Sequence, residues 1–505
     1  MLRGSSRGLL LWLLVWVGAA GAAPTAAPNA PALVARIERL LEQKPLAGAR
    51  VGIHVVRASD GMPVYSRDAD RLLMPASNQK ILTSLAALHR FGPTHRFATR
   101  IRSPRKLDAK GVVPALVVEG GGDPVMNSED WWRLAAELQR AGLRGVEGDL
   151  RIDDSLFDGP AWHPSWGRVS ARAYHAPVGA LTANYGSFFV SVRPRSEVGS
   201  TALVDIDPPV SYLRLRNLAR TAARGARARL SVDRVRGRTE DGAPQEIVRV
   251  QGAARLGDDT DRFPRSVLDP GLYAGSLLAY QLAVHGIRFD GVVRRTASSA
   301  ASETLVLEWQ GRPLSEIVQL CMKYSNNSIA ETLLKNLGVD PGADPTGDAK
   351  RQGDWLRGVQ VLRAELETLG VDLGRASIVD GSGLSIENRL TPKMLVAALR
   401  AGRDSFRVGP EFVAAMPIAD RDGTLERRLG RGRGRIRAKT GLLSDVSTTA
   451  LSGYAERVDG ETLIFSILVN GHSGPSGPAM DAVDRIAQTL VDAPGPRTAT
   501  SSALP

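Results

Sequence analysis

Apolar residues recur at Leu33, Ile37, Leu40 and Leu41, a helical spacing that predicts an amphipathic helix reaching about Gln43. Two runs rich in β-branched residues follow, at 51–56 and 63–65. Ser59-Asp60-Gly61 lies between them and supplies the turn of a hairpin. Ile81, Leu82, Leu85 and Leu88 then mark one apolar face of a helix within 74–88. The far end mirrors this order, with apolar strands at 447–455 and 462–469 around Val458-Asp459-Gly460 and a closing helix at 479–491. Strands near both ends of the chain are expected to share one sheet. Between Thr94 and Arg312 short β-like runs (116–118, 188–192, 202–206, 246–250) are broken by Gly, Pro, Asp and Arg, which predicts inserted β-rich material. Helical periodicity returns at 314–337 and 355–369, and Thr391-Pro392-Lys393 opens a further helix to about Leu399.

The chain has 505 residues, 43% hydrophobic and 23% charged, enough for several domains. That composition excludes a mainly disordered chain, and a mean hydropathy of −0.12 excludes a polytopic membrane protein. The formal charge of +12 suits an acidic envelope polymer, a membrane surface or nucleic acid alike, so charge alone selects no partner. The N-terminus says more. Arg3 and Arg7 precede the apolar run 9–17, and small residues at 19–23 offer a cleavage point after Ala22 or Ala23, which reads as a signal peptide over 1–22. The run is short for a membrane-spanning helix and no lipid-bearing cysteine follows, so the expected product is exported and periplasmic, soluble or loosely envelope-associated, without stable membrane insertion. The lone Cys321 excludes an internal disulfide and sits in an apolar stretch, where it reads as a buried, inert thiol.

Three short motifs carry the chemistry. Ser77-Asn78-Gln79-Lys80 sets a hydroxyl and an ammonium one helical turn apart at the start of an apolar helix. A second S-x-x-K, Ser103-Pro104-Arg105-Lys106, has a proline inside it and polar neighbours, a loop setting that fixes no geometry. Ser325-Asn326-Asn327 supplies an S-x-N in a helix-rich region. Lys439-Thr440-Gly441 lies at the edge of the C-terminal sheet, and with nine lysines in the chain such a triplet is seldom accidental. Each alone has a bland reading: a helix cap beside a solvated lysine, a polar helix face, a turn. Their order and context together outweigh those readings.

With Gly120-Gly121-Gly122-Asp123-Pro124, Asp380-Gly381-Ser382-Gly383-Leu384-Ser385 and Asp422-Gly423-Thr424-Leu425, these motifs make the chain resemble the D-alanyl-D-alanine carboxypeptidase/endopeptidase family of class C, low-molecular-mass penicillin-binding proteins. The resemblance spans nearly the whole mature chain. It implies an α+β fold: a transpeptidase/β-lactamase-like domain, an antiparallel sheet flanked by helices, interrupted by insertions. More than twice as many residues separate the first two motifs as the last two, which fits. The implied division is 24–95 with 313–492 for the catalytic domain, 96–122 with 262–312 for one insert, 123–261 for another, and a disordered tail at 493–505.

The residue types suit a serine peptidase. A hydroxyl needs a base, and Lys80 serves only if burial and a second cation, Lys439, depress its pKa; arginine could not replace it. Ser325 can pass the proton to the leaving amine, Asn327 can hold a substrate amide, and Lys439, Thr440 and Gly441 can bind a terminal carboxylate. By resemblance, the amides of Ser77 and Leu442 form the oxyanion hole. Peptidoglycan stem peptides are then the substrate and β-lactams covalent inhibitors, with no cofactor, metal or nucleic acid required. Two alternatives use the same residues or none: a β-lactamase or esterase, and a non-catalytic envelope protein that binds the anionic wall through the arginines of 220–229 and 234–238.

Overall fold

The computed structural model describes residues 25–26, 31–240, 242–296, 303–340 and 352–492, so the leader at 1–22 and the tail at 493–505 lie outside the described residues. The chain ends meet in one antiparallel sheet. Its order is Thr25–Ala26, Pro63–Arg67, Arg50–Arg57, Thr462–Asn470, Thr448–Glu456 and Ile436–Leu443. Arg50–Arg57 pairs with Thr462–Asn470 from the other end of the chain.

Period-two alternation gives this sheet two buried faces. Val55, Leu451, Phe465 and Ile467 meet Leu33 and Ile37 of Pro31–Leu41 and Ile486 and Leu490 of Ser476–Asp492. Val56, Ala450, Ile464 and Leu468 face the other way, into a larger helical layer. At the middle of that layer runs Gln79–Phe91, packed among Leu314–Lys323, Asn327–Leu337, Trp355–Thr368 and Pro392–Asp404. A single apolar face was expected for it. Instead every residue from Gln79 to Leu88 is buried, Lys80, Thr83 and Ser84 included.

The expected helix over 314–337 is two helices, broken at Tyr324-Ser325-Asn326. Ser325 takes a left-handed φ of 56°, and the Asn326 side chain caps the second helix by accepting from the Ile329 amide at 3.0 Å. The S-x-N triplet thus sits at a corner and not on a helix face.

The insertion is not uniformly β-rich. Two buried helices, Ser128–Arg140 and Pro270–Val284, share one core with its sheets. Asn127 and Asp130 form a reciprocal capping box on the first, and Asp269 caps the second, with Pro270 in its first turn. A five-stranded sheet runs in the order Val293–Arg295, Leu150–Asp153, Leu116–Glu119, Arg96–Ser103, Thr304–Pro313. Leu150–Asp153 pairs on both sides inside it, so an insert boundary at 123 does not follow the sheet. Two three-stranded sheets built from 187–266 and a third of short strands, Arg288–Phe289, Gly145–Val146 and Val112–Val113, complete the described insertion.

One close approach fixes where the edge strand Ile436–Leu443 lies. Gly453 faces Ala438, and a Cβ on Gly453 would come within 2.1 Å of the Arg437 carbonyl oxygen. Gly453→Ala is therefore expected to push the edge strand away, costing about 1–3 kcal/mol. Thermal unfolding should show a lowered midpoint, and the chemistry of the adjoining Lys439 should weaken with it; an unchanged midpoint contradicts the packing described.

Candidate active site

Ser77 stands in a single 3-10 turn, Ala76–Asn78, that runs into Gln79–Phe91. Ala76 before it holds a φ of 47°, uncommon for a residue with a side chain, and marks a sharp entry that leaves Ser77 half-buried while its neighbours are buried. One turn on, Lys80 Nζ donates to Ser77 Oγ at 2.8 Å. It also donates to Asn327 Oδ1 at 2.7 Å and to the Ser382 carbonyl at 2.8 Å, so all three ammonium hydrogens have acceptors. The decoy differs: Ser103 ends a strand, fully buried, and accepts from the Arg105 amide at 3.4 Å.

Burial pulls Lys80 down to about 8, against the opposing pull of Cys321, Glu331 and Asp380. Cys321 itself is a buried thiol pushed upward by its apolar setting, so near neutrality the carboxylates are the groups that hold the proton on Lys80. Glu331 in turn is pushed up to about 7 by burial and then by Asp380. Lys439 lies well below the ordinary lysine range, first through burial and then through the charge of Lys80. The charge of Lys80 thus disfavours a second buried ammonium beside it.

Lys439 is fully buried and donates to Ser325 Oγ at 2.7 Å and to the Thr440 carbonyl at 2.8 Å. Expected to help bind a substrate carboxylate, it lies buried here against Ser325 and Thr440. Thr440 Oγ1 donates to Thr424 Oγ1 at 2.9 Å. Gly441 is required by crowding, because a Cβ there would meet Asn78 Nδ2 at 2.8 Å and the Pro75 carbonyl at 3.0 Å. Leu442 is exposed next to it. Asn327 was expected to hold a substrate amide, yet both ends of its side chain are engaged: Oδ1 with Lys80, and Nδ2 donating to the Tyr174 carbonyl at 2.9 Å.

Tyr174 belongs to the insertion, and it is not alone in reaching the site. Trp166 Nε1 donates to Asp380 Oδ2 at 2.9 Å, and Ser165 Oγ donates to Ser385 Oγ at 2.8 Å. Reading the three motifs missed Glu331, Ser382, Thr424 and this insertion segment. The spacing Asn327 to Glu331 was a usable signal, since residues four apart share a helix face. A cavity of about 790 Å³ lined by Tyr212, Tyr280 and Phe289 lies in the insertion and contains none of these side chains. The polar geometry, and not cavity size, locates the site. Among the described residues no group of three His, Cys, Asp or Glu side chains is placed to hold a metal.

Comparison with known proteins agrees with this arrangement. The sequence model of the D-Ala-D-Ala carboxypeptidase 3 (S13) family matches residues 33–490. A D-alanyl-D-alanine carboxypeptidase from Actinomadura sp. (strain R39) is 35% identical over 477 residues, 91% of this chain and 84% of that one. The D-alanyl-D-alanine carboxypeptidase DacB of Haemophilus influenzae is 25% identical over 452 residues, 86% and 88% of the two chains. The crystal structure of penicillin binding protein 4 (dacB) from Haemophilus influenzae shares the fold, with a TM-score of 0.73 at 22% identity over 90% of this chain and 98% of that one. With a family match that spans the two cores, the insertion and all three motifs, the chain belongs to the D-Ala-D-Ala carboxypeptidase 3 (S13) family.

Proposed function

We propose that this D-Ala-D-Ala carboxypeptidase is exported, acts on peptidoglycan stem peptides through an acyl-enzyme on Ser77, and is acylated by β-lactams at the same atom. The contact that carries the reading is Lys80 Nζ on Ser77 Oγ at 2.8 Å, with Lys439 on Ser325 Oγ behind it. Neutral Lys80 takes the proton as Ser77 Oγ bonds to the scissile carbonyl carbon. The amides of Ser77 and Leu442 receive the oxyanion, donors worth roughly 3–4 kcal/mol each. Ser325, held by Lys439, passes a proton to the departing D-Ala amine, the C–N bond breaks, and water then hydrolyses the ester. The Thr440–Thr424 hydroxyl pair, with Lys439 buried behind it, suits the free carboxylate of a terminal D-Ala. Cleavage of D-Ala cross-links uses the same steps; the S13 match supports the carboxypeptidase cut. The Haemophilus influenzae protein of this fold has been solved with a bound β-lactam, which supports acylation here. Export rests on the leader read from the sequence; among the described residues no helix is long and apolar enough to cross a membrane.

Incubating the protein with muropeptides and weighing the products tests the activity: loss of one D-Ala marks the carboxypeptidase, separation of linked stems the endopeptidase. Ser77→Ala should abolish both, together with covalent labelling by fluorescent penicillin, whereas Ser103→Ala should keep them. Labelling that survives Ser77→Ala refutes the assignment. Lys80→Arg should be nearly as damaging as Lys80→Ala, since guanidinium keeps the charge but supplies no base.

The pH dependence follows from the direction of the Lys80 shift. The amine must be neutral to act, so acylation should rise with pH through about 8, the value to which burial lowers Lys80. Lys439→Ala removes the donor to Ser325 Oγ, so it should slow the reaction while leaving this acid limb in place. Thr440→Val should leave the limb in place and weaken turnover of a substrate with a free terminal carboxylate more than that of its amide. Equal losses on both substrates would contradict this division of roles.

A further inference from the structure

Glu331 is fully buried one turn beyond Asn327, on the helix Asn327–Leu337. Its Oε1 accepts from the Ser382 amide at 2.7 Å, and its Oε2 accepts from the Gly381 amide at 3.1 Å and from Trp355 Nε1 at 2.8 Å. Two successive amides of one loop are thus gripped by one carboxylate. The carbonyl that follows the second of them, Ser382 O, is the one that accepts from Lys80 Nζ at 2.8 Å. The loop has little freedom to move otherwise. A Cβ on Gly381 would meet the Ala330 carbonyl oxygen at 2.7 Å, and Thr83 Oγ1, from the helix that bears Lys80, donates to the Gly381 carbonyl at 2.7 Å. Asp380 secures the rest of the loop, accepting from the amides of Gly383 and Ser385 and from Asn388 Nδ2.

We propose that Glu331 is a positioning residue for the acylation step: by holding the Gly381 and Ser382 amides it aims the Ser382 carbonyl at Lys80, and with its own charge it sets how tightly Lys80 keeps the proton. The proposal rests on the reading of Lys80 as the base. The charged or titratable groups around Lys80 are Glu331 from the next helix, Asp380 from the loop, Cys321 from Leu314–Lys323 and Lys439 from the edge strand. Around Glu331 they are Asp380, Lys80, Lys335 and Cys321. Of these, Glu331 is the group that both carries a charge toward Lys80 and holds one of its acceptors. An aimed carbonyl and a nearby carboxylate both stabilise the ammonium, so they act in the same direction: they hold Lys80 above where burial alone would leave it. Without that restraint the base would be free at lower pH but badly placed.

The test is the rate of Ser77 acylation by a fluorescent penicillin from pH 5 to 10, for the wild type, Glu331→Gln and Glu331→Asp, with folding followed by thermal unfolding. In Glu331→Gln the acid limb should move to lower pH by about one unit, and the plateau rate should fall roughly 10–100-fold as the carbonyl loses its aim. Glu331→Asp keeps the charge on a shorter arm, so its limb should move less while its plateau falls. A purely structural role would lower the plateau and leave the midpoint alone; a Glu331→Gln limb at the wild-type midpoint therefore overturns the proposal. If Glu331→Gln does not fold, Glu331→Asp acylating at the wild-type rate throughout overturns it equally. A wild-type rate without an acid limb removes the reading of Lys80 itself and the proposal with it, an outcome distinct from a wild-type limb that Glu331→Gln leaves unmoved.

Discussion

A primary ammonium taken out of water costs several kcal/mol unless each of its hydrogens finds an acceptor. Lys80 meets that demand with three oxygens, and each comes from a different part of the chain: Ser77 from its own helix, Asn327 from the corner after Ser325, and Ser382 from a loop. Much of the surrounding structure follows from keeping those three oxygens where they are. The break in the helix pair presents Asn327, the buried carboxylates of Glu331 and Asp380 brace the loop, and the sharp entry at Ala76 sets Ser77 over its lysine. The same burial that makes the ammonium costly is what lets it act as a base near neutrality.

The insertion participates in this arrangement. Tyr174 fixes the free end of the Asn327 amide, while Trp166 and Ser165 bond to the Asp380–Ser385 loop. Two of the acceptors of Lys80 are thus steadied from outside the sheet-and-helix body that carries the motifs. Asn336, on the Asn327–Leu337 helix, also donates to the Gly122 carbonyl at 2.8 Å, which ties that helix to the glycine run of the insertion.

How much of this was legible in the sequence differs by element. Both terminal hairpins were, because alternation and a turn triplet are local signals. The helix bearing Lys80 was placed with one apolar face, whereas its polar residues Lys80, Thr83 and Ser84 are buried as well. The two insertion helices carried readable caps, Asn127 with Asp130 and Asp269 with Pro270, which the reading of that stretch as β-rich material passed over. The corner at Ser325 could not be read from periodicity, since apolar residues on both sides keep the same rhythm. Ser77, Lys80, Ser325 and Lys439 came together as their order suggested, but the engaged amide of Asn327 and the buried seat of Lys439 depend on contacts between distant segments, which no local pattern encodes.

The pairing of Arg50–Arg57 with Thr462–Asn470 has a consequence for how the molecule comes into being. A chain that emerges from its N-terminus makes the nucleophile early and the strand beside the first hairpin almost last, and the edge strand bearing Lys439 also arrives late. Until then the hairpin has an open edge, the helix of Ser77 has no sheet to lie against, and Ser325 lacks the Lys439 ammonium that donates to it. The insertion, with its own core, can fold while the two halves of the catalytic sheet still wait for each other. The carboxypeptidase site is thus complete only after a late, long-range closure that joins the first hairpin to the last strands.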